Sequence, residues 1–570
     1  MWIPVTLRIT HIPPGNISLH NSFLGVITKI FPLVQYWAHW VDLKWYLERV
    51  APGRLVVMTV AVSGIVGLRD TAQLLAQLGS LFALHLTPMA HWTWMFIKGG
   101  RTISETTILQ GYTTHHTHVI MPLSHLATPS TFNKNGLQVQ RQRWHYCNAN
   151  GAMGGLCNEY TPDPLPVPSP PPVTHQSVIA RVPVVVTAGN RHQYLYHTLT
   201  TLMNAPGAQH DNIMVVLGNA TQAATQLLHL MNINFTTLTI HGHHNNKLFS
   251  YYRNVFKFIA HTFPDAPAVI LLDEDVEVSP DFFSYMSQTL WLLHEDPSLY
   301  CINAYSATGF QGTAHDSRTV LRARVQVEWG YAVSLQFIRD AIRKWPSDVS
   351  KVDTVFYDQW LYKHQSNGRE CVFPEVSRSF HFGMGVNTEA WSTEAYFLFK
   401  PLVKQPHVHL DNVSTLLLET WQEHFSRSIR HATPLTGNPC SETFVPPVNT
   451  TTNFVFYYRM LRELNGKPNY RNFFFAAKCL NAWSASEQGL HKRVLTVRVS
   501  MLTTLYLVGA PYSPYAYLRP HYIKPWDYDS VTDEEDDIIM NRIKKVEMGR
   551  YQILNLNVTS EYLMNILFVN

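Results

Sequence analysis

The 570-residue chain is poor in charge: Asp, Glu, Lys and Arg together make up 15%, against roughly 25% in ordinary soluble domains. With 46% hydrophobic residues beside that deficit, extended disorder is excluded for most of the chain. The formal net charge is only +4, too weak a bias for the electrostatic footprint of a nucleic-acid binder. No HExxH zinc motif occurs. The His115-His116-Thr117-His118 and His241-Gly242-His243-His244 clusters have no carboxylate beside them, so they read as surface or ordinary core histidines. A secretory leader pattern is absent from the first residues, where Pro4, Pro13 and Pro14 interrupt any helix. The most apolar early window, Phe23 to Val41, contains Lys29, Pro32 and His39, and falls short of a membrane span of about 20 residues. The sequence as written therefore shows neither a signal peptide nor an anchor, and no internal repeat.

What is present is length, cysteine and proline in particular places. At about 150 residues per domain the chain is expected to form three or four folded units. Its 6 cysteines, even in number and widely spaced, suit disulfides better than any zinc-ligand pattern and favour a lumenal or extracellular compartment. Sequons at Asn16, Asn219, Asn234, Asn412, Asn449 and Asn557 agree with that. The Pro-rich run from Thr161 to Val173 reads as an extended spacer. The expected organisation is a stem domain over 1–150, a linker over 151–176, a catalytic domain over 177–400, its C-terminal part over 401–525 and a tail over 526–570. The acidic run Asp533 to Asp537 in that tail reads as a solvated helix start or loop.

After the spacer, the β-branched run Val182–Thr187 is followed by Ala188-Gly189-Asn190-Arg191 and then by a helical pattern. Further apolar runs at Ile213–Leu217 and Ala268–Leu272 alternate with helices, so a mostly parallel α/β sheet is expected, with ligands at the carboxyl ends of its strands. Directly after the third run stand Asp273-Glu274-Asp275-Val276-Glu277. Several carboxylates at the edge of a buried sheet repel one another unless a cation sits among them, and oxygen ligands suit Mn2+ or Mg2+ bridged to phosphate.

The segment Leu271 to Tyr285, with Asp296-Pro-Ser-Leu-Tyr-Cys301, Arg369-Glu-Cys371 and Pro374 to Gly383, resembles glycosyltransferase family 13, the β-1,2-N-acetylglucosaminyltransferases. Within that family it is most similar to the branch acting on protein O-linked mannose. Val50-Ala-Pro-Gly-Arg54 and Arg69-Asp-Thr-Ala72 resemble the family's stem, and Val508 to Tyr515 its C-terminal region. The resemblance implies a GT-A fold, UDP-N-acetylglucosamine as donor, Mn2+ as cofactor and inverting transfer to the 2-hydroxyl of a mannose-terminated glycan. It also implies a Golgi or secretory-pathway location with membrane association. Carried onto this chain, Asp275 is the metal ligand, while Asp273 and Glu274 contact ribose or sugar and Arg191 the nucleotide. Asp358 is the catalytic base. Gly385, Val386 and Asn387 belong to the loop that closes over the donor. The family carries a disulfide where Cys301 and Cys371 stand, and Cys440 with Cys479 and Cys147 with Cys157 are expected as further pairs, although spacing alone does not fix connectivity.

Four places depart from the family. Gly218 stands where an acid is expected near the uracil, so the uracil either has no such partner here or takes Asn219 in its place. Asn303 to Ala307 replaces a run containing Asp and Trp, and Glu328 precedes Trp329-Gly330-Tyr331 where the family is uncharged. In the stem, Trp92 and Trp94 have the rings to stack on a sugar, but two Trp at this spacing more often fill a core. These departures leave two alternatives to an active transferase of this specificity: a glycan- or nucleotide-binding protein without turnover, and a transferase with another sugar or acceptor. Hydrolysis lacks a second acid partnering Asp358.

Overall fold

The computed structural model describes parts of residues 6–157 and, beyond them, residues 178–240, 244–310, 312–327, 329–346, 356–383, 400–462, 468–482 and 488–553. The Pro-rich run, Glu328, the His115–His118 cluster and residues Gly385, Val386 and Asn387 lie outside the described residues. Among the described residues no helix is long and apolar enough to cross a membrane.

Strands β1 (Thr6–Ile12), β2 (Ile27–Pro32), β3 (Leu55–Val60), β4 (Ala90–Ile97) and β5 (Thr102–Leu109) form an antiparallel sheet in the order β2-β1-β3-β4-β5. Its core settles the question of the two tryptophans. Trp92 and Trp94 are 1% and 0% exposed and pack with Val56, Met58 and Phe96. Their indole N–H groups donate to Glu105 and Thr102 (both 2.9 Å). Neither ring face is free to stack on a sugar, so these two residues have the core role that their spacing favours.

The second sheet holds eight strands. Strands β6 (Val184–Ala188), β7 (Ile213–Gly218), β8 (Asn234–Leu238) and β9 (Ala268–Asp273) are parallel, in the order β8-β7-β6-β9. Past β10 (Val276–Val278) the chain continues through β11 (Leu299–Asn303), β12 (Val320–Ala323), β13 (Tyr331–Ser334), β14 (Glu370–Pro374) and β15 (Ser379–His381). The sheet extends from β9 as β13-β11-β14-β12, with β13 antiparallel to both neighbours. Valine, isoleucine and leucine fill both faces, as a sheet covered on two sides requires. Helix Gln138–Asn150 and its Cys147–Cys157 bridge share the core of this sheet rather than that of the first one.

A third sheet, of five strands, contains Thr433–Leu435, Thr452–Arg459, Leu490–His491, Val494–Ser500 and Thr503–Ala510, and carries its own core. The bridge between Arg324 and Leu490 joins it to the second sheet. The acidic run opens helix Asp533–Ile553, where carboxylates favour the positive N-terminal end.

All three expected disulfides form: Cys147–Cys157, Cys301–Cys371 and Cys440–Cys479. The Cys301–Cys371 bridge joins neighbouring strands β11 and β14 and closes the longest loop, 70 residues. Replacing both cysteines by Ala is expected to cost about 2–5 kcal/mol of stability. Thermal unfolding with and without the pair measures this, and an unchanged midpoint would show that the bridge contributes nothing.

Candidate functional site

Strand β9 runs Ala-Val-Ile-Leu-Leu through the core and ends at Asp273, so the tight turn of Glu274 and Asp275 into β10 falls at the carboxyl edge of the parallel strands. The neighbouring edge, after β6, supplies Gly189 and Arg191. The Gly189 N–H donates to Glu274 (2.7 Å), and the Arg191 guanidinium spans Glu274 (2.7 Å) and Asp275 (2.8 Å). From β15, which pairs with β10 so that His381 stands opposite Val276, the His381 ring reaches Asp275 at 3.4 Å. Gly383 closes the pocket from below: a Cβ there would collide with the Asp275 carboxylate, so the close backbone approach requires glycine.

These surroundings divide the three acids. Burial pushes Asp273 up, and the charge of Asp275 adds to that, while hydrogen bonds from Thr187 and Tyr252 oppose it. Burial also raises Glu274 despite Arg191 and the Gly189 N–H. Burial would raise Asp275 too, but His381 and Arg191 outweigh it and hold this carboxyl well below the usual carboxylate range. Asp275 is therefore held ionised.

Asp358 lies in the first turn of the short helix Tyr357–Trp360, which runs on into a π-helical stretch, Leu361–Gln365. Such π turns are frequent at functional sites. Burial raises the Asp358 carboxyl to about 6, opposed by the N–H groups of Asp358 and Gln359 and reinforced by the charge of Asp273. A ring stack links the two acids. Tyr252 donates to Asp273, and its ring lies 3.5 Å, centroid to centroid, from that of Tyr357, the neighbour of Asp358.

The structure thus brings Arg191, Asp273, Glu274, Asp275 and Asp358 to one sheet edge. Thr187, Tyr252, Tyr357 and His381 join them without having been singled out as site residues. Tyr252 sits mid-helix with nothing local to mark it, whereas His381 lies within Phe380-His381-Phe382-Gly383, a stretch already notable for its resemblance. At Gly218 an added Cβ would overlap the Ile240 side chain and lie 3.1 Å from the Tyr251 ring, so an acid does not fit here as the chain stands. The Asn219 Oδ1 accepts the Ile240 N–H (3.0 Å). Asn303 and Tyr305 are buried, and Asn303 donates to the Gln326 carbonyl (2.8 Å).

Among the described residues no three His, Cys, Asp or Glu side chains converge as a metal cage. The donor set instead fits a hard cation that takes one carboxylate, Asp275, and completes its shell with water and phosphate oxygens, the usual habit of Mg2+-like ions.

The mostly parallel sheet, in which β12 and β13 run reversed and whose carboxyl edge carries an ionised Asp beside Arg191, has the α/β arrangement expected of a GT-A fold. Residues 166–445, just under half of the chain, match the profile of the GNT-I family. The chain is 24% identical over 279 residues to the alpha-1,3-mannosyl-glycoprotein 2-beta-N-acetylglucosaminyltransferase of Arabidopsis thaliana, covering 45% of this chain. The match spans 59% of that relative, about six-tenths of its length. Solved structures resemble it only remotely. A mannosyltransferase from Pyrobaculum calidifontis bound to GDP-Man and Mn2+ is 14% identical over 35% of this chain and 53% of its own, with a TM-score of 0.20. Glucosyl-3-phosphoglycerate synthase from Mycobacterium tuberculosis is 13% identical over 29% of this chain and 63% of its own, also at 0.20. At such TM-scores neither overlay carries weight for fold or function.

Proposed function

We propose that the chain is an inverting glycosyltransferase that moves N-acetylglucosamine from UDP-N-acetylglucosamine to the 2-hydroxyl of a mannose on a glycoprotein glycan, in the secretory pathway. The observation that carries this reading is the contrast between two acids at one sheet edge: Asp275 held ionised, Asp358 pushed up to about 6. Groups whose surroundings drive their protonation apart mark acid and base assignments.

In this reading Asp358 takes the proton of the acceptor hydroxyl as its oxygen bonds to C1 of the sugar and the bond from C1 to the UDP oxygen breaks on the opposite face. Asp273 stays fixed by Thr187 and Tyr252, so its position does not depend on the substrate. Arg191 bridges Glu274 and Asp275 and leaves the turn rigid. Mn2+ or Mg2+ at Asp275 would neutralise the charge that gathers on the departing diphosphate.

Calorimetric titration of the full chain with UDP-N-acetylglucosamine, with and without Mn2+, tests this. Binding that requires Mn2+ in the wild type and is lost in Asp275→Ala is expected. Equal binding without metal, or an unaffected variant, would exclude this metal site. The second reading, binding without turnover, is favoured by the walled-in Gly218. Metal-dependent binding with no transfer to any mannose-terminated acceptor would establish it.

A further inference from the structure

The loop joining strands Leu490–His491 and Val494–Ser500 is a two-residue turn, Lys492-Arg493, in which both residues adopt positive φ (47° and 65°). Such hairpin turns favour Asn-Gly, and two long cationic side chains there are strained. The strain is spent on placement. Lys492 and Arg493 line a cavity of about 250 Å3 together with Arg324, Leu490, Tyr512 and Pro514, at the seam between the second and third sheets. Arg493 donates to the Tyr512 carbonyl (2.9 Å) and lies against its ring, which is 38% exposed. The backbone of the turn is pinned as well: Ser513 donates to the Lys492 carbonyl (2.9 Å) and the Gly509 N–H to that of Arg493 (3.2 Å). No carboxylate among the described residues pairs with Lys492 or Arg493.

We propose that this cavity is a binding site for a sugar carrying a phosphate or sulfate ester. The three cations, two of them guanidinium forks, match a tetrahedral oxyanion, and Leu490, Pro514 and the Tyr512 ring supply the apolar wall that a sugar face packs on. A cavity of this size is smaller than the roughly 300–1,000 Å3 of typical ligand clefts and takes one charged sugar rather than a nucleotide. Its placement also connects it to the rest of the molecule. Arg324 lies over the ring of Tyr362 (5.3 Å), which stands on the same helical run as Asp358. The site is separate from the β9–β10 turn and does not depend on the transferase reading.

The test is calorimetric titration of the full chain with glucose 6-phosphate, glucose and inorganic phosphate. Glucose 6-phosphate is expected to bind and to weaken as salt rises, and glucose not to bind. The double variant Lys492→Asn, Arg493→Gly restores the residues that the turn prefers. It should weaken glucose 6-phosphate at least tenfold while its unfolding midpoint stays level or rises and UDP binding is unchanged. Tyr512→Ala should weaken glucose 6-phosphate but not inorganic phosphate. Unchanged binding in the double variant would overturn the site. Inorganic phosphate binding as tightly as the sugar phosphate would overturn its assignment to a sugar ester.

Discussion

In Asp358→Asn, transfer is expected to fall by about 10²–10⁴-fold, the range a positioned general base supplies, while UDP-N-acetylglucosamine binds as in the wild type. Asn keeps the shape and still accepts the N–H groups of Asp358 and Gln359 through its carbonyl, but it cannot take a proton. An interaction made only in the transition state lowers kcat and kcat/KM together. Loss of fold does not explain such a result. Burial raises this carboxyl above its unfolded value, so the folded state holds a proton that the unfolded chain has already released. Between the unfolded value and about 6, stability therefore declines as pH rises, and a neutral Asn escapes that cost. The variant should melt no lower than the wild type at neutral pH. In the wild type, activity should drop as pH falls through about 6 where the base is rate-determining, and this acid limb should vanish with the carboxylate. Transfer within about threefold of wild type would dismiss Asp358 as the base.

The second large effect is on stability. Arg322 on β12 is fully buried and holds Glu370 (2.8 Å), Asp296, the Leu416 carbonyl (2.8 Å) and Ser298 (2.6 Å). Glu370 in turn meets His491 (2.7 Å), whose other ring nitrogen meets the Tyr515 hydroxyl (3.0 Å). One guanidinium thus anchors a chain of polar contacts from the second sheet into the third. Arg322→Met preserves most of the volume but leaves Asp296 and Glu370 buried without it, and is expected to cost about 3–5 kcal/mol. Burial pushes both acids up, but Ser298 and Arg322 at Asp296, and His491 and Arg322 at Glu370, outweigh it and hold both below their ordinary values. Their contribution is therefore present above the unfolded values and lost as pH falls through the folded ones. The gap in stability between wild type and variant should therefore be largest at neutral pH and narrow on acidification. Chemical denaturation across a pH series reads both effects, and a loss under about 1 kcal/mol would mean that the two acids find other partners.

Much of this arrangement is legible in the sequence because it depends on local patterns. The runs Val182–Thr187, Ile213–Leu217 and Ala268–Leu272 are β-branched or aliphatic and helix-separated, and they become β6, β7 and β9 in parallel register. The carboxylates after the third run sit at the strand end for the same reason. What is not legible is tertiary. Tyr252 reaches Asp273 from a helix 21 residues upstream, and the Tyr252–Tyr357 stack joins residues that share no sequence signal. Trp92 and Trp94 have the same spacing whether they stack on a sugar or fill a core, and only the position of Glu105 and Thr102 on the facing strand decides it. Likewise, the third sheet rests on the parallel pairing of Thr452–Arg459 with Thr503–Ala510, strands far apart in sequence.

The core of the first sheet does not end at that sheet. It includes Tyr194, from the helix after β6, and Phe382, which follows β15. The Arg191 guanidinium lies 4.8 Å from the Tyr194 ring, so the back wall of the carboxylate pocket is shared with the N-terminal sheet. At the other end, the family match stops at residue 445 while the third sheet takes most of its strands from later residues. A fragment cut to the matched segment would have bare aromatic surface behind Arg191 and a single short strand left of the third sheet. The matched segment is thus smaller than the set of elements that share its cores.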